Sequence, residues 1–183
     1  VILAFSGGLD TTYCLVKLQQ EGYNVITVTV DTGGFDEQEL KVIAKKSKAL
    51  GAQAHYCINA QEELYEKFAA YIIKANYLRG GTYPSCVGAE RTIIAQKVSE
   101  IAQKEEAPII CHGSTGAGND HIRFDVALRA LLPKAEILAP IRDNDITRTS
   151  ATHYLETKGI HVYQKTTNYS VNQGLLGTSI GGK

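Results

Sequence analysis

Leu3-Ala4-Phe5-Ser6-Gly7-Gly8-Leu9-Asp10-Thr11-Thr12 brings two sequence patterns together within ten residues. The apolar run Val1-Ile2-Leu3-Ala4-Phe5 reads as a buried strand, and it breaks at Ser6-Gly7-Gly8. Leu9, Tyr13 and Val16 then recur at helical spacing, so a helix starts directly after the turn. Two glycines at that junction let backbone N–H groups approach a ligand without a Cβ in the way. The helix start aims the positive end of its dipole at the same place, which suits the turn to an anion, a phosphate above all. No G-x-x-x-x-G-K-[ST] occurs in the chain, so the turn is not the loop that holds a nucleotide for γ-phosphate transfer.

Working outward, strands and helices alternate. Asn24 to Val30 is a β-branched, apolar strand closed by Asp31-Thr32-Gly33-Gly34. Helical spacing runs from Glu37 to Leu50, and Ala52 to Ile58 is a third strand. Glu62 to Leu78 and Ala89 to Gln103 read as helices around the loop Gly80-Gly81-Thr82-Tyr83-Pro84. Ala107 to Cys111 is a core strand, Asp120 to Leu132 a helix, Glu136 to Leu138 a strand and Thr147 to Lys158 a helix. Strands separated by helices imply βαβ units, hence an α/β fold: a doubly wound, mainly parallel sheet with helices on both faces. Ligands of such sheets sit beyond the carboxyl ends of the strands. Ser6-Gly7-Gly8, Asp31-Thr32-Gly33 and the loop after Cys111 all fall there. After Lys165 the pattern thins into a Ser/Gly/Asn-rich tail.

Composition narrows the function. The 183 residues carry 19 basic and 19 acidic side chains spread along the chain, so no nucleic-acid or membrane-binding face is expected. The apolar runs are strand-sized, which predicts no transmembrane helix, and the first residues show no signal peptide. Cys14, Cys57, Cys86 and Cys111 have no paired spacing and read as reduced thiols of a cytoplasmic protein. His112 reads as a group that stabilises the strand end, and His55, His121, His153 and His161 have no metal-ligand spacing, so no metal site is expected from them.

A second informative stretch is His112-Gly113-Ser114-Thr115-Gly116-Ala117-Gly118-Asn119-Asp120-His121-Ile122-Arg123-Phe124-Asp125. Again a strand ends in glycines and a helix begins. Asn119 and Arg123, four apart, share a helix face, with Thr115 just upstream. An amino-acid ligand needs donors for its carboxylate and an acceptor for its ammonium. Arg123 can pair a carboxylate in bidentate fashion, Thr115 and Asn119 can hydrogen-bond one, and Asp120 can accept from an ammonium. The plain alternative is that Asp120 caps the helix and Arg123 is a solvated surface residue. Serines in a Gly-rich tail, taken alone, are turn formers.

The strand–SGGxDT–helix arrangement resembles the pyrophosphatase loop, or PP-loop, of enzymes that split ATP between the α and β phosphates. Together with HGSTGAGNDHIRFD and the tail Tyr169-Ser170-Val171-Asn172-Gln173, it resembles argininosuccinate synthase. The resemblance runs from Val1 to Lys183 and covers the nucleotide-binding part of that family. It implies an adenine nucleotide alpha-hydrolase-like domain over 1–165. Residues 166–183 would start a connection to a C-terminal synthetase domain. It also implies ATP with Mg²⁺, a citrullyl-adenylate, and argininosuccinate, AMP and pyrophosphate as products of citrulline and aspartate in arginine biosynthesis. A homotetramer is the implied assembly.

Residue by residue, the resemblance implies that Ala4, Phe5, Ser6, Gly7, Gly8, Leu9, Asp10, Thr11 and Thr12 cradle ATP. Val30 would contact the adenine side, and Gly113 would approach the nucleotide. Asp10 is the expected catalytic carboxylate, as a helix-start group or a partner of Mg²⁺. Thr115, Asn119 and Asp120 would hold aspartate. Tyr83, Gly88, Asn119, Arg123, Ser170 and Ser179 would line the citrulline site. Gly88 stands where the family commonly has serine, Ala117 where lysine is common, and Gly81-Thr82-Tyr83-Pro84 with Ala89-Glu90-Arg91 is similar to a divergent branch. These departures leave citrulline and an Nα-acylated citrulline both open as substrates. The alternative function is another PP-loop ATP pyrophosphatase, such as a tRNA-thiolating enzyme or an amidotransferase-coupled synthetase.

Overall fold

A computed structural model describes residues 1–161 and 170–181. Lys165 and Tyr169, used above, lie outside them. Five parallel strands, β1 (Ile2–Ala4), β2 (Ile26–Asp31), β3 (Ala54–Asn59), β4 (Ile109–Cys111) and β5 (Glu136–Leu138), form one sheet in the order β3-β2-β1-β4-β5. The apolar run at the chain start supplies the central strand, with Ile2 against both Ile26 and Ile110. A strand covered on both faces must be apolar throughout, which is why that run does not alternate.

Helices cover both faces. On one side, α1 (Leu9–Gln20), α2 (Glu37–Ala49) and α8 (Arg148–Thr157) contribute Tyr13, Leu15, Leu18, Ile43 and Leu155 to a core with Leu3 and Cys111. On the other, α5 (Cys86–Lys104) and α6 (Asp120–Leu131) contribute Ile93, Val98, Phe124 and Leu128 to a core with Ile2, Val28 and Ile110. The doubly wound α/β architecture expected from the sequence is the one observed.

Some boundaries differ. The helix read over Glu62–Leu78 is three consecutive helical stretches, α3 (Gln61–Leu64), a π-helical turn (Tyr65–Ala69) and α4 (Ala70–Lys74). It stops early because Asn76 adopts a left-handed conformation, φ +46°, that turns the chain out of the helix. Helix α5 begins three residues before the expected Ala89, and α7 (Pro140–Asp143) is a short helix opened by its proline. The tail folds as an antiparallel hairpin, β6 (Ser170–Gly174) with β7 (Gly177–Gly181).

The helix starts are not treated alike. Asp36 and Glu39 close a capping box on α2, and Thr147 with Ser150 closes one on α8. Helices α1 and α6, which begin beyond the carboxyl ends of β1 and β4, have no side-chain cap. Their first N–H groups are left for another acceptor.

Candidate active site

The sheet order reverses between β1 and β4, and that switch point is where open parallel sheets bind ligands. The loops after the two strands meet there. A Cβ on Gly113 would stand 3.1 Å from Thr11 Cγ2 and 3.2 Å from both the Asp10 carbonyl carbon and the Thr11 nitrogen. A Cβ there would press on the start of α1, so glycine suits the close approach of the second loop. Gly7 takes φ +73°, and Gly8 ends the turn as the N-cap of α1. Ser6 and Gly8 are exposed, whereas Phe5, Leu9 and Thr12 are buried and anchor the turn from beneath. The Thr12 hydroxyl donates to the Gly7 carbonyl at 3.4 Å.

One feature here escaped the sequence reading. Lys46 on α2 reaches across to donate to the Gly7 carbonyl at 2.6 Å, which sets a cation behind the glycine turn. Burial pushes its pKa down. His112, 1 % exposed, sits under the second loop. Its Nδ1 accepts from the Ser114 N–H at 3.3 Å, so Nε2 carries the proton and donates to Asp125 at 3.0 Å. Asp125 also accepts from Arg142 at 2.9 Å. Burial lowers the His112 pKa, opposed by Asp125, so a neutral imidazole holds Ser114 in place. Burial raises the Asp125 pKa, but its bonds with His112 and Arg142 outweigh that and leave it lowered.

Asp10, in the first turn of α1, has its pKa raised by burial and partly restored by Arg148. Among the described residues no group of three or more His, Cys, Asp or Glu side chains could hold a metal.

Across the switch point, α5, α6 and β6 build a charged cluster. Asp120 Oδ2 accepts from Arg91 Nε at 3.0 Å and Oδ1 from Arg123 Nη1 at 2.8 Å. Arg91 Nη2 also donates to Asn172 Oδ1 at 2.7 Å, tying the hairpin to α5. Asn119, not Asp120, is the N-cap of α6, so the capping alternative for Asp120 does not hold. Thr115 and Asn119 are exposed on the loop, and Arg123 is half-buried. A Cβ on Gly88 would be 3.9 Å from Arg123 Nε, which puts Gly88 beside that guanidinium. The Tyr83 hydroxyl accepts from the Val87 N–H at 3.1 Å, at the start of α5. Ser179 is paired in register with Asn172, and Ser170 with Gly181. Val30 is buried in β2, and Ala4 is half-buried at the end of β1.

The hairpin closes the site's other edge. The Leu175 N–H donates to the Thr32 carbonyl at 2.8 Å. A side chain on Gly34 would overlap the Gln173 carbonyl, so the loop after β2 admits the hairpin only as glycine. Arg91, Asn172, Lys46, Asp125 and Arg142 were not among the expected site residues. Arg91 stands three residues, about one helical turn, after Gly88, and that spacing was a usable signal; the others depend on long-range packing.

Two helix starts without side-chain caps meet at the switch point of a doubly wound α/β domain, beside a paired Asp/Arg cluster. Residues 1–161 match the family described as "Arginosuccinate synthase N-terminal HUP domain", and the chain belongs to that family. It is 44 % identical over 184 residues to argininosuccinate synthase of Sulfurisphaera tokodaii, covering 100 % of this chain and 46 % of that protein. The counterpart of Bacillus subtilis is 38 % identical over 178 residues, covering 97 % and 44 %. The chain thus spans about half the length of the curated relatives it matches. An NH3-dependent NAD synthetase from Campylobacter jejuni shares the fold at TM-score 0.61 with 14 % identity, over 87 % of this chain and 64 % of that one. A predicted subunit of tRNA methyltransferase from Methanocaldococcus jannaschii does so at 0.57 with 20 % identity, over 85 % and 74 %.

Proposed function

We propose that this chain is the nucleotide-binding half of an enzyme joining citrulline, or an Nα-acylated citrulline, to aspartate at the expense of ATP. The observation that carries the reading is the approach of Gly113 to Asp10 and Thr11. It brings an anion-suited turn and the Thr115–Arg123 stretch to one crevice. ATP would lie along Ala4 to Thr12, with its adenine near Val30 and its chain of phosphates at the free N–H groups of α1. Those groups and the turn would stabilise the charge that grows on the leaving pyrophosphate. Mg²⁺ would be held by the phosphates with Asp10 as protein partner, since Mg²⁺ keeps few protein ligands.

The ureido oxygen of the substrate would attack the α-phosphorus, giving a citrullyl-adenylate and pyrophosphate. Aspartate, held by Thr115, Asn119 and Asp120, would then displace AMP through its amine. Tyr83, Gly88, Asn119, Arg123, Ser170 and Ser179 would line the ureido-substrate site, with Arg123 meeting its carboxylate. Positioning of the two substrates against ATP would supply much of the acceleration.

We assign 1–165 to the nucleotide-binding domain and 166–183 to the approach to a second, synthetase domain, in a cytoplasmic homotetramer. No helix among the described residues is long and apolar enough to cross a membrane. The test is pyrophosphate release by the full-length protein given ATP-Mg, aspartate and a panel of citrulline derivatives. Release that needs a ureido amino acid and aspartate supports the reading; release that needs tRNA or an ammonia donor instead would favour another PP-loop enzyme.

A further inference from the structure

Glu90 lies on α5 with its side chain only 5 % exposed. Among the described residues no hydrogen bond reaches its carboxylate. The nearest cation, Arg91 Nη1, stands 3.9 Å from Oε2, and that guanidinium already donates to Asp120 and Asn172. Oε1 is seated against the Cα of Gly174, where any side chain would overlap it. Burying a carboxylate with so little compensation is costly, and burial accordingly raises its pKa, against Arg91 and with Asp120.

The strand it faces is informative. Residues two apart on a strand share a face, so Gly174 lies on the face of Asn172, and Asn172 is paired with Ser179. Glu90 therefore meets the hairpin face that borders the ureido-substrate site. A ureido amino acid carries a carboxylate and, on the same carbon, a nitrogen bearing hydrogen. Arg123 suits the carboxylate. Each oxygen of Asp120 accepts from one arginine and keeps a second lone pair, which the proposed function gives to the ammonium of aspartate. The Glu90 oxygens receive no hydrogen bond among the described residues.

Building on the function proposed above, we propose that Glu90 is a specificity residue. Its carboxylate accepts a hydrogen bond from the α-nitrogen of the ureido amino acid and favours a free ammonium over an acylated nitrogen. An ammonium gains charge attraction together with its hydrogen bonds, whereas an amide N–H gains one weaker bond. Gly88 makes room beside Arg123 while Glu90 draws the charged form in.

The test uses the full-length protein and the ratio of kcat/KM for citrulline to that for Nα-acetylcitrulline, read by pyrophosphate release. Glu90→Gln keeps the shape and removes the charge, and should lower that ratio about tenfold or more, with the KM for ATP within about twofold of wild type. Glu90→Asp, which retains the charge but withdraws it, should lower the ratio less. Should the glutamine variant fail to fold, Gly174→Ala displaces the carboxylate sterically and is expected to lower the ratio too. A ratio unchanged in every folded variant, with wild type active, would overturn the role of Glu90 alone. A wild type that releases no pyrophosphate with either ureido substrate would overturn the enzymatic reading, and this proposal with it.

Discussion

Asp120→Asn separates a ligand-binding role from a structural one. The carboxylate receives Arg91 at 3.0 Å and Arg123 at 2.8 Å, so it joins α5 to α6 even without substrate. A hydrogen bond to a charged group contributes about 1.5–3 kcal/mol when well shielded. The Asp120 side chain is 34 % exposed, and Asn keeps one acceptor, so the two bonds together should cost roughly 1–2 kcal/mol of stability. That loss would appear as a lower urea midpoint with unchanged slope. Binding should suffer differently. Aspartate loses the carboxylate meant for its ammonium, about 1.5–3 kcal/mol, which is a KM rise of roughly 10- to 150-fold. ATP, held across the crevice by Ser6 to Thr12, should change about threefold or less. Steady-state kinetics of the full-length variant, varying each substrate in turn, give both values. Equal rises for aspartate and ATP would refute a binding role and leave Asp120 as the tie between two helices.

Three further outcomes are expected. Gly113→Ala drives a Cβ against the backbone of Asp10 and Thr11, which cannot rotate away; it should cost about 1–3 kcal/mol of stability and raise the KM for ATP by about tenfold, more than for either amino acid. Because the His112 pKa is lowered in the fold, the unfolded chain takes up its proton first. The stability this contributes is full above about pH 6.5 and is lost as pH falls from there through the folded value. His112→Gln should flatten that part of the stability–pH curve relative to wild type, as measured by urea unfolding at pH 5 to 8; an identical slope would remove His112 from the account. Gly88→Ser places a hydroxyl beside Arg123 and should shift preference towards plain citrulline by roughly 1 kcal/mol, in competition kinetics against the Nα-acylated form.

What could be read directly from the sequence was local. Val1 to Thr12 holds a strand, a glycine turn and a helix in succession, and each signal lies within a few residues of the next. The strand end, glycine loop and helix start from Cys111 to Asp120 were legible for the same reason. The contact of Gly113 with Thr11 joins residues about a hundred positions apart, and no periodicity encodes it. The pairing of Asp120 with Arg91 was hidden likewise, because an arginine on one helix does not declare which acid on another it will meet. The overrun of the helix read to Leu78 has another cause: Tyr71, Ile73, Tyr77 and Leu78 are apolar yet exposed, so their spacing does not report a buried face. The hairpin turn Gly174-Leu175-Leu176-Gly177 lacks the Asn-Gly or Asp-Gly signature of tight hairpins, and its strands hold little of the β-branched pattern.

The central claim is that the crevice between β1 and β4 directs attack to the α-phosphorus of ATP. It is tested most directly by identifying the nucleotide product of the full-length protein with ATP-Mg, a citrulline substrate and aspartate, using chromatography. The account predicts AMP and pyrophosphate in equal amounts, formed only when the ureido amino acid is present. Substrate-dependent ADP and phosphate would contradict it.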